Sequence, residues 1–340
     1  LMAILEQGLI IGLMALGVYI SFRIVDLPDL TTDGSFALGA AVAVRAVVAG
    51  IPAWLAITLA AMFGAVAGSV TGTIHRKFKV NVLLAGILVM TMLYSVNLRV
   101  MGGPNLPVPR VVAEKSTQSF EEMSGGTGLD DLFGELEVKT QERALKTGSV
   151  VKNIFNNDLD GSDLLLIILI ISAVIILLTT ILRSDPGMVL RAFGSNPSGI
   201  VAFGVSQDTL AVVGLTISNF IVGLSGGLFA LYSGFSDATI GQGMVVTGLA
   251  SVIMGEILLG RVKLFYGLLS PIIGGVIYQT LLSLAMRYGY RIGFLASDMK
   301  LLTAVFIIVV IGLRQISTAN GKRKVKLEVK KLWSNSKISQ

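Results

Sequence analysis

Cysteine is missing from the chain, and histidine occurs once among 340 residues, at His75. The first absence removes disulfides, thiolate metal centres and cysteine nucleophiles together. The second leaves one candidate for histidine chemistry. His75 lies in the basic run His75-Arg76-Lys77-Phe78-Lys79, with no carboxylate or serine arranged around it, and reads as a solvated loop residue. Charge is also scarce. Asp, Glu, Lys and Arg make up 14% of the residues, against about 25% in soluble globular domains. No Gly-x-x-x-x-Gly-Lys-[Ser/Thr] phosphate loop occurs, so ATP is not bound and hydrolysed by such a loop of this chain. No enzymatic constellation, metal set or cofactor motif is present, and no cofactor is expected.

What the chain has in quantity is apolar length. Hydrophobic residues make up 53% of it, and the mean hydropathy is +0.80. Crossing a hydrocarbon core of ~30 Å takes about 20 helical residues, because each rises only ~1.5 Å. In lipid every backbone polar group must be paired internally, which leaves helices or a closed barrel. The runs are rich in Leu, Ile, Ala and Gly without period-two alternation, so the sequence predicts an all-α polytopic membrane protein.

Nine apolar segments are legible: Gly8–Phe22, Phe36–Ala49, Ala53–Thr73, Leu83–Val100, Leu164–Leu182, Leu210–Tyr232, Met244–Leu259, Phe265–Met286 and Leu301–Leu313. The expected number of spans is about nine, within eight to ten. The N-terminal run reads as a first span, since no basic n-region or small-residue cleavage site precedes it. Lys and Arg content orients the connections. The His75–Lys79 loop, the stretch Arg183 to Gln207, Arg261-Val262-Lys263 and the C-terminal tail are assigned to the cytoplasm, and span parity agrees. The connection Arg287–Lys300 carries Arg287, Arg291 and Lys300 yet falls outside on this count. The net charge of +6 owes much to Lys322–Lys337 directly after the last apolar run, where basic residues meet anionic lipid. Basic and aromatic residues are not interleaved as in a nucleic-acid groove, so nucleic acid is not an expected partner.

The organisation expected is an N-terminal transmembrane half over 1–103 and an external loop over 104–163. A C-terminal transmembrane half follows over 164–315, with a cytoplasmic segment at 184–206, and a basic cytoplasmic tail over 316–340. In the external loop Leu129, Leu132, Phe133 and Leu136 form an amphipathic stripe, with Thr127 and Asp130 resembling a capping box. Val151, Ile154 and Phe155 mark a second short helix. Two polar breaks echo each other. Asp29-Leu30-Thr31-Thr32-Asp33-Gly34-Ser35-Phe36 precedes one short apolar run, and Asp237-Ala238-Thr239-Ile240-Gly241-Gln242-Gly243-Met244 precedes another. The basic loops place the first break inside and the second outside. Such opposite placement is how an inverted repeat with interrupted helices would look, and interrupted helices point to a transport path. Candidate path residues are Thr31, Asp33, Gly34, Ser35, Thr239 and Gln242. A buried Asp33 needs donors such as backbone N–H groups.

Between the fifth and sixth segments, Asp185-Pro186-Gly187-Met188-Val189-Leu190-Arg191-Ala192-Phe193-Gly194-Ser195-Asn196-Pro197 predicts a short stiff helix, Met188 to Phe193, with a second beginning at Asn196-Pro197. Its Arg-Ala-x-Gly-x-Asn-Pro pattern resembles the coupling segment in permeases of the branched-chain amino acid and ribose importer superfamily. Leu16-Gly17-Val18-Tyr19-Ile20-Ser21-Phe22-Arg23, Leu30–Phe36, Leu38-Gly39-Ala40-Ala41, Leu84–Leu88, Tyr94–Arg99 and Gly102–Pro107 resemble the branch that holds the tryptophan/tyrosine importers. The resemblance covers nearly the whole chain apart from about Val111 to Asn153. It implies the permease subunit of an ATP-driven (ABC) importer in the bacterial inner membrane, with the ATP hydrolysed elsewhere. Implied partners are an ATP-binding cassette ATPase, an extracytoplasmic substrate-binding lipoprotein and a second copy of the permease. It also implies a small solute, an amino acid and aromatic in that branch. Gly187, Arg191, Ala192, Gly194, Asn196 and Pro197 match the coupling pattern and are expected to face the ATPase. The alternative is a secondary carrier or channel that needs no partner ATPase.

Overall fold

The computed structural model describes residues 2–108, 162–202, 204–259, 264–289, 301–305, 308–309 and 312. Helix α1 (Met2–Tyr19) runs into a π-helical segment, Ile20–Ile24. Helices α2 (Thr31–Val48), α3 (Ala53–Phe78) and α4 (Val82–Met101) follow, then a three-residue strand β1 (Asn105–Pro107). After the undescribed stretch come α5 (Ser162–Arg183), α6 (Asp185–Ser195), α7 (Pro197–Ala202) and α8 (Gln207–Ser233). Strand β2 (Phe235–Asp237), α9 (Met244–Leu259) and α10 (Leu264–Gly289) complete the named elements. The strands pair antiparallel, Asn105 opposite Asp237, and tie the end of α4 to the end of α8. The stripe at Leu129–Leu136, the capping Thr127, the helix at Val151–Phe155, the loop Arg261–Lys263 and the tail 316–340 lie outside the described residues.

Among the described residues six helices are long and apolar enough to cross a membrane: Met2–Ile24, α3, α4, Leu164–Arg183 of α5, α8 and α10. Helix α9 is apolar but shorter, and α2 is polar in its first turn. The chain is an all-α polytopic membrane protein. Trp54, Met62, Phe63 and Val66 of α3 and Leu165, Leu169 and Ile176 of α5 present their apolar surfaces outward. Outward apolar side chains on long helices suit lipid as the solvent.

Helix α2 forms the centre. Every residue from Thr31 to Val44 is buried, which a helix achieves only when it is surrounded on all sides. Its neighbours are α3, α4, α8 and α9. Packing between helices relies on small residues. On α3, Gly64 and Gly68 lie so close to α8 that a β-carbon would overlap the carbonyl oxygens of Asn219 and Leu215. Gly72, one turn on, would meet Val212 Cα at 2.7 Å. This spacing of four keeps glycine on one face, where two backbones in lipid gain dispersion contacts by close approach. Gly64→Val is expected to destabilise the fold by about 1–3 kcal/mol through overpacking. A lowered unfolding temperature in detergent checks this, with Gly103→Ala as the unaffected control, since nothing lies within 4 Å of a β-carbon there.

The contacts repeat under an exchange of α1 with α8, α2 with α9 and α3 with α10. Helix α1 packs on α10 as α8 packs on α3, α2 on α3 as α9 on α10, and α1 on α9 as α8 on α2. The counterparts α1 and α8 are themselves antiparallel. Ser218 donates to the Gly17 carbonyl (2.8 Å) and Ser225 to the Ile10 carbonyl (2.7 Å). The two three-helix units therefore point in opposite directions.

Candidate functional site

Each unit is interrupted after its first helix. In the first, the π-helical turn is closed by Val25 N–H donating to Ile20 O (2.9 Å) and Leu27 N–H donating to Ser21 O (2.8 Å). Asp26 then takes a left-handed conformation, φ 58°, which is uncommon for a residue with a β-carbon and clusters at functional sites. The chain reverses into Asp29, whose fully buried carboxylate accepts from the Thr31 N–H (2.8 Å) and from Asn219 Nδ2 of α8 (2.6 Å). Asp29 thereby fixes the start of α2 against α8. In the second unit Asp237 Oδ1 accepts from the N–H and the hydroxyl of Thr239. Both breaks thus contain the same Asp-x-Thr turn, an Asx turn in which the side chain replaces a backbone acceptor.

The two breaks meet at Asp33, although the basic loops assign them to opposite faces. Its Oδ2 accepts from the Gly243 N–H (2.9 Å) and its Oδ1 from the Val245 N–H (2.7 Å). These are free donors at the start of α9, where the helix dipole also favours a negative group. Asp33 sits in the first turn of α2 as well, so two helix N-termini stabilise one carboxylate. Gly243, at φ +86°, makes the turn that aims these N–H groups. Gly241 passes so close to Asp33 that any β-carbon would overlap the Asp33 carbonyl oxygen.

Beside this junction lies a cleft with ≈ 280 Å³ of empty space, counting its open mouth. Asp33 and Gly34 of α2, Met90, Tyr94 and Asn97 of α4, and Gln242 of the second break line it. Of the six path residues read from sequence, Asp33, Gly34 and Gln242 come together here. Thr31 is turned away and shares a hydrogen bond with Thr71 of α3 (2.7 Å). Ser35 is buried, and its hydroxyl has no partner among the described residues. Thr239 is exposed in the Asp237 turn. Sequence reasoning missed Asn97, Tyr94 and Asp29. An amide inside the apolar run Leu83–Val100, near its end, was the available signal for Asn97, because polar groups in lipid-embedded helices face partners or cavities.

The segment with the coupling pattern forms α6, a turn longer at its start than expected, followed by α7. Ser184 precedes it and Pro186 occupies its first turn, where the missing N–H costs nothing. Gly187 faces inward onto α5, its hydrogen in the space a β-carbon would contest with the Ile181 carbonyl. Gly194 does the same against the Ile24 carbonyl, the last residue of the π-helical segment. Leu190 and Phe193 are buried between them. Arg191 and Ala192 are half-buried, and Asn196 and Pro197 are exposed. Asn196 Oδ1 accepts the Gly199 N–H (3.1 Å) and so caps α7. One residue before Ile24, Arg23 pairs with Glu256 near the end of α9 at 2.9 Å. Helix α9 is thus held at one end by the π-helical segment and at the other by Asp33.

A cleft beside the starts of two interrupted helices, inside an all-α membrane bundle, is the arrangement a transport path needs. The comparisons give the family. A model described as "Branched-chain amino acid transport system / permease component" matches residues 1–314, and the chain belongs to that family. It is 34% identical over 327 residues to the "Tyrosine transport system permease protein" of Clostridioides difficile, covering 96% of this chain and 95% of that one. An uncharacterized protein of Rickettsia prowazekii is 32% identical over 293 residues, 85% of this chain and 90% of its own. No solved structure matches the chain.

Proposed function

We propose that the chain is the membrane-spanning subunit of an ATP-driven importer. It forms the path for a small solute handed over by an extracytoplasmic binding protein, and two copies of the chain work with two copies of a separate ATPase. The solute is an amino acid, and an aromatic one by similarity to the tyrosine permease. Counting α2, α9 and the segment Leu301–Leu313 with the six long helices gives nine spans, with the C-terminus in the cytoplasm.

The observation that carries this reading is the seat of α6. It rests through Gly187 on the end of one long helix and through Gly194 on the π-helical segment that opens into the first break. A push on its outer side therefore moves α5 and the Ile20–Ile24 segment together. From there the Arg23–Glu256 pair passes the movement along α9 to Asp33 and the cleft. A π-helical turn suits this task because its backbone can shift register at small cost. Helix α6 thus acts as the lever, with Asn196 and Pro197 on its outer end and Arg191 beside them meeting the ATPase.

A secondary carrier would need a buried carboxylate free to exchange a proton or an ion. Asp29, fully buried, is held by the Thr31 N–H and Asn219 in a purely structural role, which favours the ATP-driven reading. The test is co-purification of the permease with its ATPase and receptor. Receptor-stimulated hydrolysis is expected in the wild type, and a loss of about tenfold or more with Arg191→Glu, since a reversed charge at a protein interface costs several kcal/mol. Undiminished stimulation in that variant would remove α6 from the mechanism.

A further inference from the structure

Asn97 is 1% exposed, sits within the membrane-spanning α4 and lines the cleft, yet its Oδ1 finds no partner among the described residues. Leaving a buried amide oxygen unpaired costs about 1–3 kcal/mol, and on a residue that lines a cavity such an atom is a reserved acceptor. The Asp33 carboxylate, in the lining of the same cleft, spends one lone pair of each oxygen on the α9 N–H groups and keeps others. The lining residues include no Lys, Arg or His. The backbone donors that would otherwise hold an anion at the start of α9 are already occupied by Asp33.

Acceptors without a counter-cation select a donor. We infer that this cleft is a binding site for the ammonium group of the transported solute, with Asn97 and Asp33 as its acceptors and Tyr94 and Met90 against the apolar remainder. The inference rests on the import reading above and adds to it which end of the solute the membrane subunit recognises. Among the described residues that line the cleft, a solute carboxylate meets no positive charge. It stays toward the mouth, where the exposed Gln242 supplies an amide. Ring against ring, Tyr94 gives an aromatic solute a stacking surface.

The experiment uses the full chain in lipid nanodiscs and three probes of one skeleton: L-tyrosine, tyramine and 3-(4-hydroxyphenyl)propionate. Saturation-transfer NMR with competition reads direct binding without the receptor. Tyrosine and tyramine are expected to bind and to displace each other, and the propionate is expected to bind at least tenfold more weakly. Asn97→Leu is expected to weaken tyramine about tenfold or more, the size of one hydrogen bond to a charged group. Asn97→Asp, nearly the same shape, is expected to retain or tighten it and guards against loss of fold. Equal binding of the propionate, unchanged tyramine binding in Asn97→Leu, or no binding by any probe would each overturn the inference. ATP-driven uptake by the wild-type complex, measured separately, decides the import reading alone. Uptake with no ammonium preference therefore rejects the site and leaves the importer standing.

Discussion

Gly194→Leu is expected to uncouple the importer, with solute uptake falling by about tenfold or more while the assembled ATPase still turns over. The backbone of α6 lies against the Ile24 carbonyl at this residue, and even one added carbon would overlap that oxygen. A backbone atom cannot swing aside as a flexible side chain can, so α6 has to lift away from the π-helical segment. The outer positions Asn196 and Pro197 remain exposed and available to the ATPase. A lever still gripped at its handle but lifted from its seat predicts hydrolysis without transport. The measurement is the ratio of solute taken up to ATP hydrolysed in one proteoliposome preparation, and an unchanged ratio would remove Gly194 from the transmission path.

Asp33→Ala is expected to have the largest effect on the cleft. The substitution leaves two backbone N–H groups at the start of α9 without their charged acceptor. At about 1.5–3 kcal/mol for each hydrogen bond to a charged group, the junction loses on the order of 3–6 kcal/mol. Helix α9 then keeps the Arg23–Glu256 pair at its far end and its packing on α1, α2 and α10, but loses the polar anchor of its first turn. Asp33→Asn retains one acceptor oxygen but turns an amide donor toward a second donor, and is expected to fall between wild type and Asp33→Ala. Hydrogen exchange over residues 241–247 checks this, because release of the helix start exposes those amides. Protection equal to wild type in Asp33→Ala would show that the carboxylate does not hold the junction.

Both predictions concern segments that were visible in the amino-acid sequence, though in unequal detail. The α6 helix was visible because Pro186-Gly187 and Asn196-Pro197 have strong backbone preferences, although it runs over Asp185–Ser195 and takes Pro186 and Gly187 into its first turn, beyond the expected Met188 to Phe193. The two breaks were visible because Asp, Thr and Gly interrupt apolar runs. Their meeting was hidden, since basic loops report the membrane face of a loop but not how far it folds back into the bundle. Helix α2 begins at Thr31, five residues before the apolar run at Phe36, because its polar first turn finds partners no local rule supplies: Thr71 for Thr31, and α9 for Asp33. Hydropathy sees those residues as a boundary, whereas the fold treats them as a sealed joint. The donors expected for a buried Asp33 are backbone N–H groups, as its chemistry requires, but which backbone supplies them is a tertiary fact. Asn97 and Asp29 lay in stretches the sequence singled out but were not picked as site residues, for a related reason. A single polar side chain carries a meaning that depends on whether its neighbour is a donor, as for Asp29, or an empty space, as for Asn97. The small residues Gly64, Gly68 and Gly72 announce a contact face without naming α8 as its occupant.

The most direct test of the account is uptake of tyrosine into proteoliposomes holding the permease, with and without its ATPase, at fixed ion gradients. The account predicts accumulation that requires ATP, the ATPase and the receptor together, and that collapsing the ion gradients does not abolish. Accumulation by this chain alone, driven by a proton or sodium gradient, would contradict it.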